Sequence, residues 1–339
     1  MYCRMNHPIN FFRVVFTFII AFLHFRTISR TYLYSGYIVV EFFFIISGYF
    51  LCHSFVKKQL DSATFFKKRF KQFWLKTIII GILLSFLDYK TILNSSLNDI
   101  IQHFISILTI LQSIIPFNDN INAVYPIWYL AVIIYGGVIF YAIIKNFPEQ
   151  SKVILPLLAL FCYAYLFIDG ITIEQDKFLS SFLRGIGGLS IGCILYHLIN
   201  NSHITMRVSF INVLSFISVI ISTFILFQKN IHGIIPIICY IFIIWGCFTK
   251  ESFLYKLLNR NIFSKLSTIS FEIFIGHMIV IKFVFFISAH LLNNNSLQHL
   301  TSCEILIISV IYIISLITFG WFYQKICNYL QKHLDRLLV

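Results

Sequence analysis

The sequence predicts an all-α integral membrane protein with about ten transmembrane helices and both termini in the cytoplasm. Two observations lead to this prediction: the composition and the pattern of apolar runs. Of the 339 residues, 59% are hydrophobic and only 12% are charged, and the mean hydropathy is +0.86. Soluble domains carry about 25% charged residues. The composition therefore excludes an ordinary soluble globule.

Ten apolar runs are long enough to cross the roughly 30 Å hydrocarbon core of a bilayer, which takes about 20 helical residues. An eleventh run, 97–115, is interrupted by polar residues and is predicted to be amphipathic or re-entrant. The chain, 1–339, is thus predicted to form a single membrane domain. The ten predicted spans are 9–25, 35–55, 73–88, 125–144, 153–169, 180–199, 208–227, 232–248, 267–289 and 303–323.

The basic residues predict the orientation of these spans. With ten spans and a cytoplasmic N-terminus, 17 of the 26 lysine and arginine residues fall in cytoplasmic segments, 5 in outer segments and 4 within spans. This is the bias that the positive-inside rule describes. Counting 97–115 as a span would place the basic 249–266 loop outside. The net charge of +13 is thereby explained without a nucleic-acid partner.

The spacing of the cysteines and of the possible metal ligands indicates no function. The eight cysteines form no CxxC pair and lie mostly in apolar runs, so they are predicted to be packing residues. No cluster of histidine, aspartate and glutamate has ligand spacing, so no metal site is predicted. The first apolar run contains Arg13 and lacks a small-residue cleavage site after it. It is therefore predicted to be a retained span and not a signal peptide.

The first span, NFFRVVFTFIIAFLHF at 10–25, carries Arg13 and His24. Eleven helical residues turn through about 1100°, so the two side chains share one face and lie ~16 Å apart along the axis. An arginine can bind phosphate, and a histidine can act as a general base. A pantetheine arm has a comparable length. The pair could hold the phosphates and the acyl carbon of a coenzyme A thioester, or be a snorkelling arginine and an interfacial histidine.

The second span contains VVEFFFIISGYF at 39–50. A carboxylate within a span is expensive and marks a functional hypothesis, which makes Glu41 a candidate. Ser47 and Gly48 form a small pair that allows close helix contact. Packing explains Ser47 more simply than catalysis does.

Together, Arg-x10-His and VEFFFIISGYF resemble the membrane acyltransferase-3 family of bacterial O-acyltransferases. The resemblance continues in order along the chain, although Gln72 stands near a position where the family often has an arginine, and Trp74-Leu75 replaces a proline region. The chain is similar to the stand-alone members without a hydrolase-like domain. The further similar segments are FFKKRFKQFW at 65–74, IWYL at 127–130, FLRGIGGLSIGCILY at 182–196 and SFEIFIGH at 270–277.

This resemblance implies transfer of an acyl group, usually acetyl from acetyl-CoA, to a hydroxyl of a surface polysaccharide in the bacterial cytoplasmic membrane. No permanently bound cofactor is expected. The expected partners are acetyl-CoA, a glycan or lipid-linked glycan, and membrane lipid. Arg13 and His24 carry over as the essential pair, and Arg69 as a CoA-facing cation. Glu41 could orient His24 or another basic group, or pair with Arg13 or Arg184.

The remaining candidates have weaker support. Arg184 is predicted either to bind the cofactor or to be an ion-pair partner, while His277, Ser47 and Trp128 are secondary candidates. Glu272 lies about 140° around the helix from His277 and is expected to pair across helices instead. His24 would deprotonate the acceptor hydroxyl, with either direct transfer or an acyl-enzyme step. The alternatives are a lipid-linked glycan flippase and an O-antigen polymerase.

Overall fold

The computed structural model of the chain describes residues 6–111, 127–168, 178–200, 206–229, 234–291 and 300–337. Every regular element in these ranges is helical, which confirms the predicted all-α class. A 3-10 turn at Gly36–Ile38 precedes α3, and a π-helical turn at Val132–Gly136 joins α7 to α8. The helices are α1 (His7–His24), α2 (Arg26–Ser29), α3 (Val39–Lys58), α4 (Ser62–Leu87), α5 (Tyr89–Leu93), α6 (Leu97–Thr109), α7 (Ile127–Ala131), α8 (Gly137–Asn146), α9 (Pro148–Ile168), α10 (Phe178–Asn200), α11 (Val208–Leu226), α12 (Ile234–Phe248), α13 (Phe253–Leu258), α14 (Asn261–Ser267), α15 (Ser270–Leu291) and α16 (Ser302–Leu337).

Within the described ranges, nine helical segments are long and apolar enough to cross a membrane. The predicted span 232–248 corresponds to α12, of which Ile234–Phe248 is described, 15 residues with a length of about 22 Å. Residues 232 and 233 of this span lie outside the described residues. The nine long apolar helices and α12 agree with the predicted multi-pass all-α class.

Two helices extend well beyond their predicted ends. Helix α4 begins at Ser62 and not at residue 73, because the Asp61 carboxylate caps it by accepting a hydrogen bond of 2.8 Å from the Thr64 backbone N–H. Hydrogen bonding to Thr64 also lowers the pKa of Asp61. Helix α16 continues past residue 323 to Leu337. The basic stretch 65–74 is therefore part of a continuous helix.

The segment 97–115 contains α6, a helix of 13 residues that packs antiparallel to the second half of α4. The Trp74 indole donates a hydrogen bond of 2.9 Å to the Leu108 carbonyl, and His103 Nε2 lies 2.9 Å from Ser85 Oγ. At about 20 Å, α6 is too short to span a bilayer. Its opposite face exposes Ile101 and Ile105. The described part is amphipathic, as predicted, and 112–115 lies outside the described residues.

Burial separates the central helices of the bundle from its rim. In the apolar window of the α3 segment, 67% of residues are buried, against 22% in α16. The segment Trp128–Asn146, which ends with α8, and helix α10 are buried like α3, while α9 and α11 expose large aliphatic and phenylalanine side chains as α16 does. Such apolar exposure fits lipid contact. The candidate residues Glu41, Ser47 and Arg184 lie on central helices, away from the rim.

Helices α3 and α10 approach each other at two glycines. A Cβ atom on Gly48 would overlap the Leu189 carbonyl, and one on Gly192 would overlap the Ile45 carbonyl. Small residues allow such backbone approach in membrane bundles. This contact fixes the helix that carries Glu41 against the helix that carries Arg184.

Helix α1 is held near both of its ends. Near its start, the Asn10 amide donates a hydrogen bond of 3.0 Å to Ser264 Oγ. At its end, the Tyr312 hydroxyl of α16 donates a hydrogen bond of 3.1 Å to the Ala21 carbonyl, and the Phe25 ring stacks on Tyr312 at 4.0 Å. The Ala21 carbonyl also accepts a hydrogen bond of 3.1 Å from the Phe25 backbone N–H, so Tyr312 binds the second lone pair of this oxygen. Tyr312 thus helps to fix the turn that carries His24.

Candidate active site

His24 and His277 are in contact. Their ring centroids are 5.1 Å apart, and the ring planes are inclined by 27°. His24 is the last residue of α1, whereas His277 is the eighth residue of the 22-residue helix α15. About 10 Å of α15 lies before this contact and about 21 Å after it. His24 therefore lies inside the bundle and not at its outer interface.

The His277 ring is buried, with 1% exposure, and its orientation is fixed. Its Nδ1 atom lies 2.6 Å from the Phe274 carbonyl. A carbonyl oxygen only accepts hydrogen bonds, so Nδ1 carries the hydrogen and Nε2 carries the lone pair of the neutral ring. Among the described residues, His277 Nε2 is buried and has no hydrogen-bond partner.

Glu41 and Arg184 form an ion pair inside the bundle. Arg184 Nε donates a hydrogen bond of 2.7 Å to Glu41 Oε1, and the Tyr163 hydroxyl donates one of 2.8 Å to Glu41 Oε2. The side chains of Glu41 and Arg184 are 0% and 6% exposed. Of the alternatives that the sequence left open for Glu41, the structure shows the pair with Arg184. The CoA-binding role predicted for Arg184 stays a prediction.

The start of α3, which carries Glu41, packs beside the first half of α1. The Phe42 ring, next in the chain, has its centroid 4.9 Å from that of Phe16 and 6.0 Å from that of Phe12. The partly buried Arg13 lies between these two phenylalanines on α1. Helical periodicity sets the spacing of side chains along α1, but interhelical packing brings α3 beside it.

Trp128 and Ser47 are brought to the same region by α7 and α3. The Arg184 guanidinium lies 5.6 Å from the Trp128 ring centroid, which is a cation–π distance. The Tyr129 hydroxyl lies 3.4 Å from Ser47 Oγ and donates a hydrogen bond of 3.3 Å to the Phe43 carbonyl. The π-helical turn that follows, Val132–Gly136, is a feature found frequently at functional sites.

A second buried ion pair joins α4 to α15. Lys76 Nζ pairs with Glu272 Oε1, and the Glu272 side chain is 1% exposed. The expectation that Glu272 pairs across helices is thus confirmed. The Phe73 and Phe271 rings also pack at 5.1 Å, so α4 and α15 run side by side here.

Arg69 lies on α4, the helix that also carries Lys76. It lies one turn before Phe73 on α4, on the predicted cytoplasmic side, and its guanidinium is 5.5 Å from the centroid of the Phe65 ring. It is partly buried. Its predicted contact with coenzyme A stays a prediction.

A small cavity lies beside the face of α1 that carries Arg13 and His24. Its volume is about 10 Å³, and its walls include Val14, Thr17 and Ser270. Thr17 is buried and lies one turn after Arg13 on the same face. In the described part of the chain, no three histidine, cysteine, aspartate or glutamate side chains are grouped as metal ligands.

Sequence reasoning missed Tyr163 and Tyr129. Tyr163 lies in the exposed helix α9, and nothing in its local sequence indicates that its hydroxyl reaches Glu41. Tyr129 is next to the candidate Trp128 in the chain, but only the tertiary structure brings it to Ser47. The sequence predicts His277 only as a secondary candidate, and the structure places it directly on His24.

The fold and the site define a multi-pass membrane protein with histidines and an ion pair gathered inside its helical bundle. A family model described as an acyltransferase domain matches residues 6–323. The chain therefore belongs to the membrane acyltransferase-3 family and is an acyltransferase. The comparison with curated proteins gives no match, and neither does the comparison with solved structures.

Proposed function

We propose that this acyltransferase moves an acetyl or similar acyl group from acetyl-CoA to a hydroxyl of a cell-surface polysaccharide or its lipid-linked precursor. The bacterial cytoplasmic membrane is its proposed location. Acetyl-CoA acts as a substrate, with no permanently bound cofactor, and the glycan is the second substrate. Membrane lipid surrounds the bundle.

The observation that supports this proposal is the depth of His24. The contact with His277 places His24 about 10 Å along α15, and Arg13 shares its face of α1 toward the predicted cytoplasmic side. A CoA thioester bound with its phosphates at Arg13 would place its acyl carbon near His24. A histidine at this depth can meet a thioester from one side and an acceptor from the other.

The proposed reaction uses His24 as the general base. The imidazole takes the proton of the acceptor hydroxyl, whose oxygen attacks the thioester carbonyl carbon. The C–S bond then breaks, the ester remains on the acceptor, and the CoA thiolate takes the proton back from His24. A route through an acyl-enzyme has the same overall balance.

The other cations and polar groups have supporting roles in this proposal. Arg69, on the predicted cytoplasmic part of α4, would add a second phosphate contact. The Glu41–Arg184 pair would keep α3 and α10 in register next to the thioester. Trp128 packs on Arg184, and Ser47 meets Tyr129, so both would shape the wall of the site.

The test is the O-acetyl content of the surface polysaccharide, measured by NMR before and after mild base. Cells would carry the wild-type gene, a deletion, or His24→Ala at matched expression. Base-labile esters that need both the gene and His24 are expected. The control is His103→Ala, which removes another buried histidine on α6.

Two results would count against the proposal. Esters that persist in the deletion would remove the acyl-transfer role assigned to this chain. Polysaccharide that is missing or shortened, with its esters unchanged, would instead favour the glycan flippase or the polymerase.

A further inference from the structure

His277 Nε2 accepts no hydrogen bond from any described residue. Nδ1 is bound to the Phe274 carbonyl, while Nε2 is buried without a hydrogen-bond partner. A buried acceptor without a hydrogen-bond partner destabilises the folded state, because it has lost its hydrogen bonds to water. Burial of Nε2 therefore destabilises the ligand-free protein, and a ligand that donates a hydrogen bond to Nε2 would offset this loss.

The position of this nitrogen narrows the choice of ligand. The His277 ring is stacked on His24, with the ring centroids 5.1 Å apart. On its other side, His277 adjoins Phe274, whose ring packs against Tyr129 at 5.4 Å. The surroundings are largely aromatic. A donor that reaches Nε2 therefore arrives next to the candidate base and belongs to a substrate of the same site.

We propose that His277 Nε2 accepts a hydrogen bond from an O–H or N–H of the substrate bound at His24, which makes His277 a substrate-binding residue of the acyl-transfer site. This inference rests on the proposed function. The donor is either the hydroxyl of the glycan acceptor or an amide N–H of the pantetheine arm. Both are neutral donors that suit a neutral imidazole nitrogen.

The His277 side chain also has two structural contacts, and neither of them uses Nε2. The tether to Phe274 needs only Nδ1, and the stack on His24 needs only a planar ring. Three substitutions separate these roles. His277→Asn keeps a donor near the Nδ1 position, His277→Gln can place an acceptor near the Nε2 position, and His277→Phe keeps only the ring.

The experiment measures base-labile polysaccharide esters in cells that express each variant at equal level. We expect His277→Asn and His277→Phe to lower the initial rate of ester formation about tenfold, the usual scale of one lost hydrogen bond. His277→Gln should retain clearly more activity than His277→Asn. Unfolding midpoints of the purified proteins identify variants that fail to fold. If the asparagine variant is not recovered, the phenylalanine variant takes its place.

Acetyl-CoA binding to the purified protein distinguishes the two possible donors. A dissociation constant that rises in His277→Asn would assign the donor to the pantetheine arm, and an unchanged one would assign it to the acceptor hydroxyl. The proposal is overturned if His277→Gln is no more active than His277→Asn, or if His277→Phe is as active as wild type. If wild-type cells carry no more base-labile esters than the deletion does, the proposed function itself is refuted.

Discussion

Arg184 and Glu41 meet across 143 positions of sequence, with Nε and Oε1 2.7 Å apart. The pair joins α10 to α3 in the interior of the bundle, and Tyr163 of α9 supplies a third contact. A charge in the low-dielectric interior is tolerated when its partner and its hydrogen bonds are in place, and is costly when the partner is removed. The pair therefore makes the register of three helices depend on one carboxylate.

Replacing one member of this pair should destabilise the protein strongly. Glu41→Met leaves the guanidinium of Arg184 buried without its carboxylate, and we expect a loss of about 3 kcal/mol or more. The measurement is the unfolding midpoint in detergent. The double substitution Glu41→Met with Arg184→Met should lose less than the sum of the two single ones.

The exposed pair Glu149–Lys152, with the same 2.7 Å separation, provides a matched control. Its side chains are 79% and 60% exposed, so Glu149→Met should change the midpoint little. If Glu41→Met and Glu149→Met lower the unfolding midpoint equally, burial does not determine how much the loss of a carboxylate destabilises the protein.

The glycine contact between α3 and α10 predicts that an added methyl group at Gly48 lowers the stability of the protein. Gly48→Ala places a methyl group on the Leu189 carbonyl, so the two backbones must separate, at a cost of about 1–3 kcal/mol. Gly137→Ala is the control, because its Cβ would be 3.5 Å from Leu51 Cδ1, an ordinary contact. Alanine also favours helix, so this control should be neutral or slightly stabilising. Thermal unfolding of the two purified variants would refute the close contact if Gly48→Ala proved the more stable one.

Arg13 is expected to bind the phosphates of the donor. Arg13→Lys keeps the charge but removes the paired hydrogen bonds, so the dissociation constant for acetyl-CoA should rise about tenfold. Acetyl-pantetheine, which lacks the nucleotide phosphates, should bind wild type and variant equally. A parallel loss for both ligands would mean that Arg13 acts on the fold and not on the phosphates.

The orientation can be tested with a native cysteine. Cys303 is exposed at the start of α16, whereas the other cysteines in the described ranges are buried. The basic-residue distribution predicts that this end of α16 faces outward. A membrane-impermeant maleimide should label intact cells, and Cys303→Ser should abolish that signal. Labelling of Cys303 only after permeabilisation would mean that the predicted orientation is inverted.

The sequence by itself determined the membrane class, the approximate spans and the family. These follow from composition, from apolar runs and from motifs, all of which are local in the chain. It also determined that Arg13 and His24 share a face, because helical geometry alone sets that relationship. Helix ends were less well predicted: the first turns of α4 are polar, so their helical state depends on the Asp61 cap and not on hydropathy.

Only the tertiary structure decided what the buried polar groups contact. Glu41 had several candidate partners, and the close backbone approach at Gly48 and Gly192 brings α10 near enough for Arg184 to reach it. The stack of His277 on His24 likewise depends on how α15 packs against α1. Periodicity gives the face of each helix, but the depth and partner of a side chain come from interhelical packing.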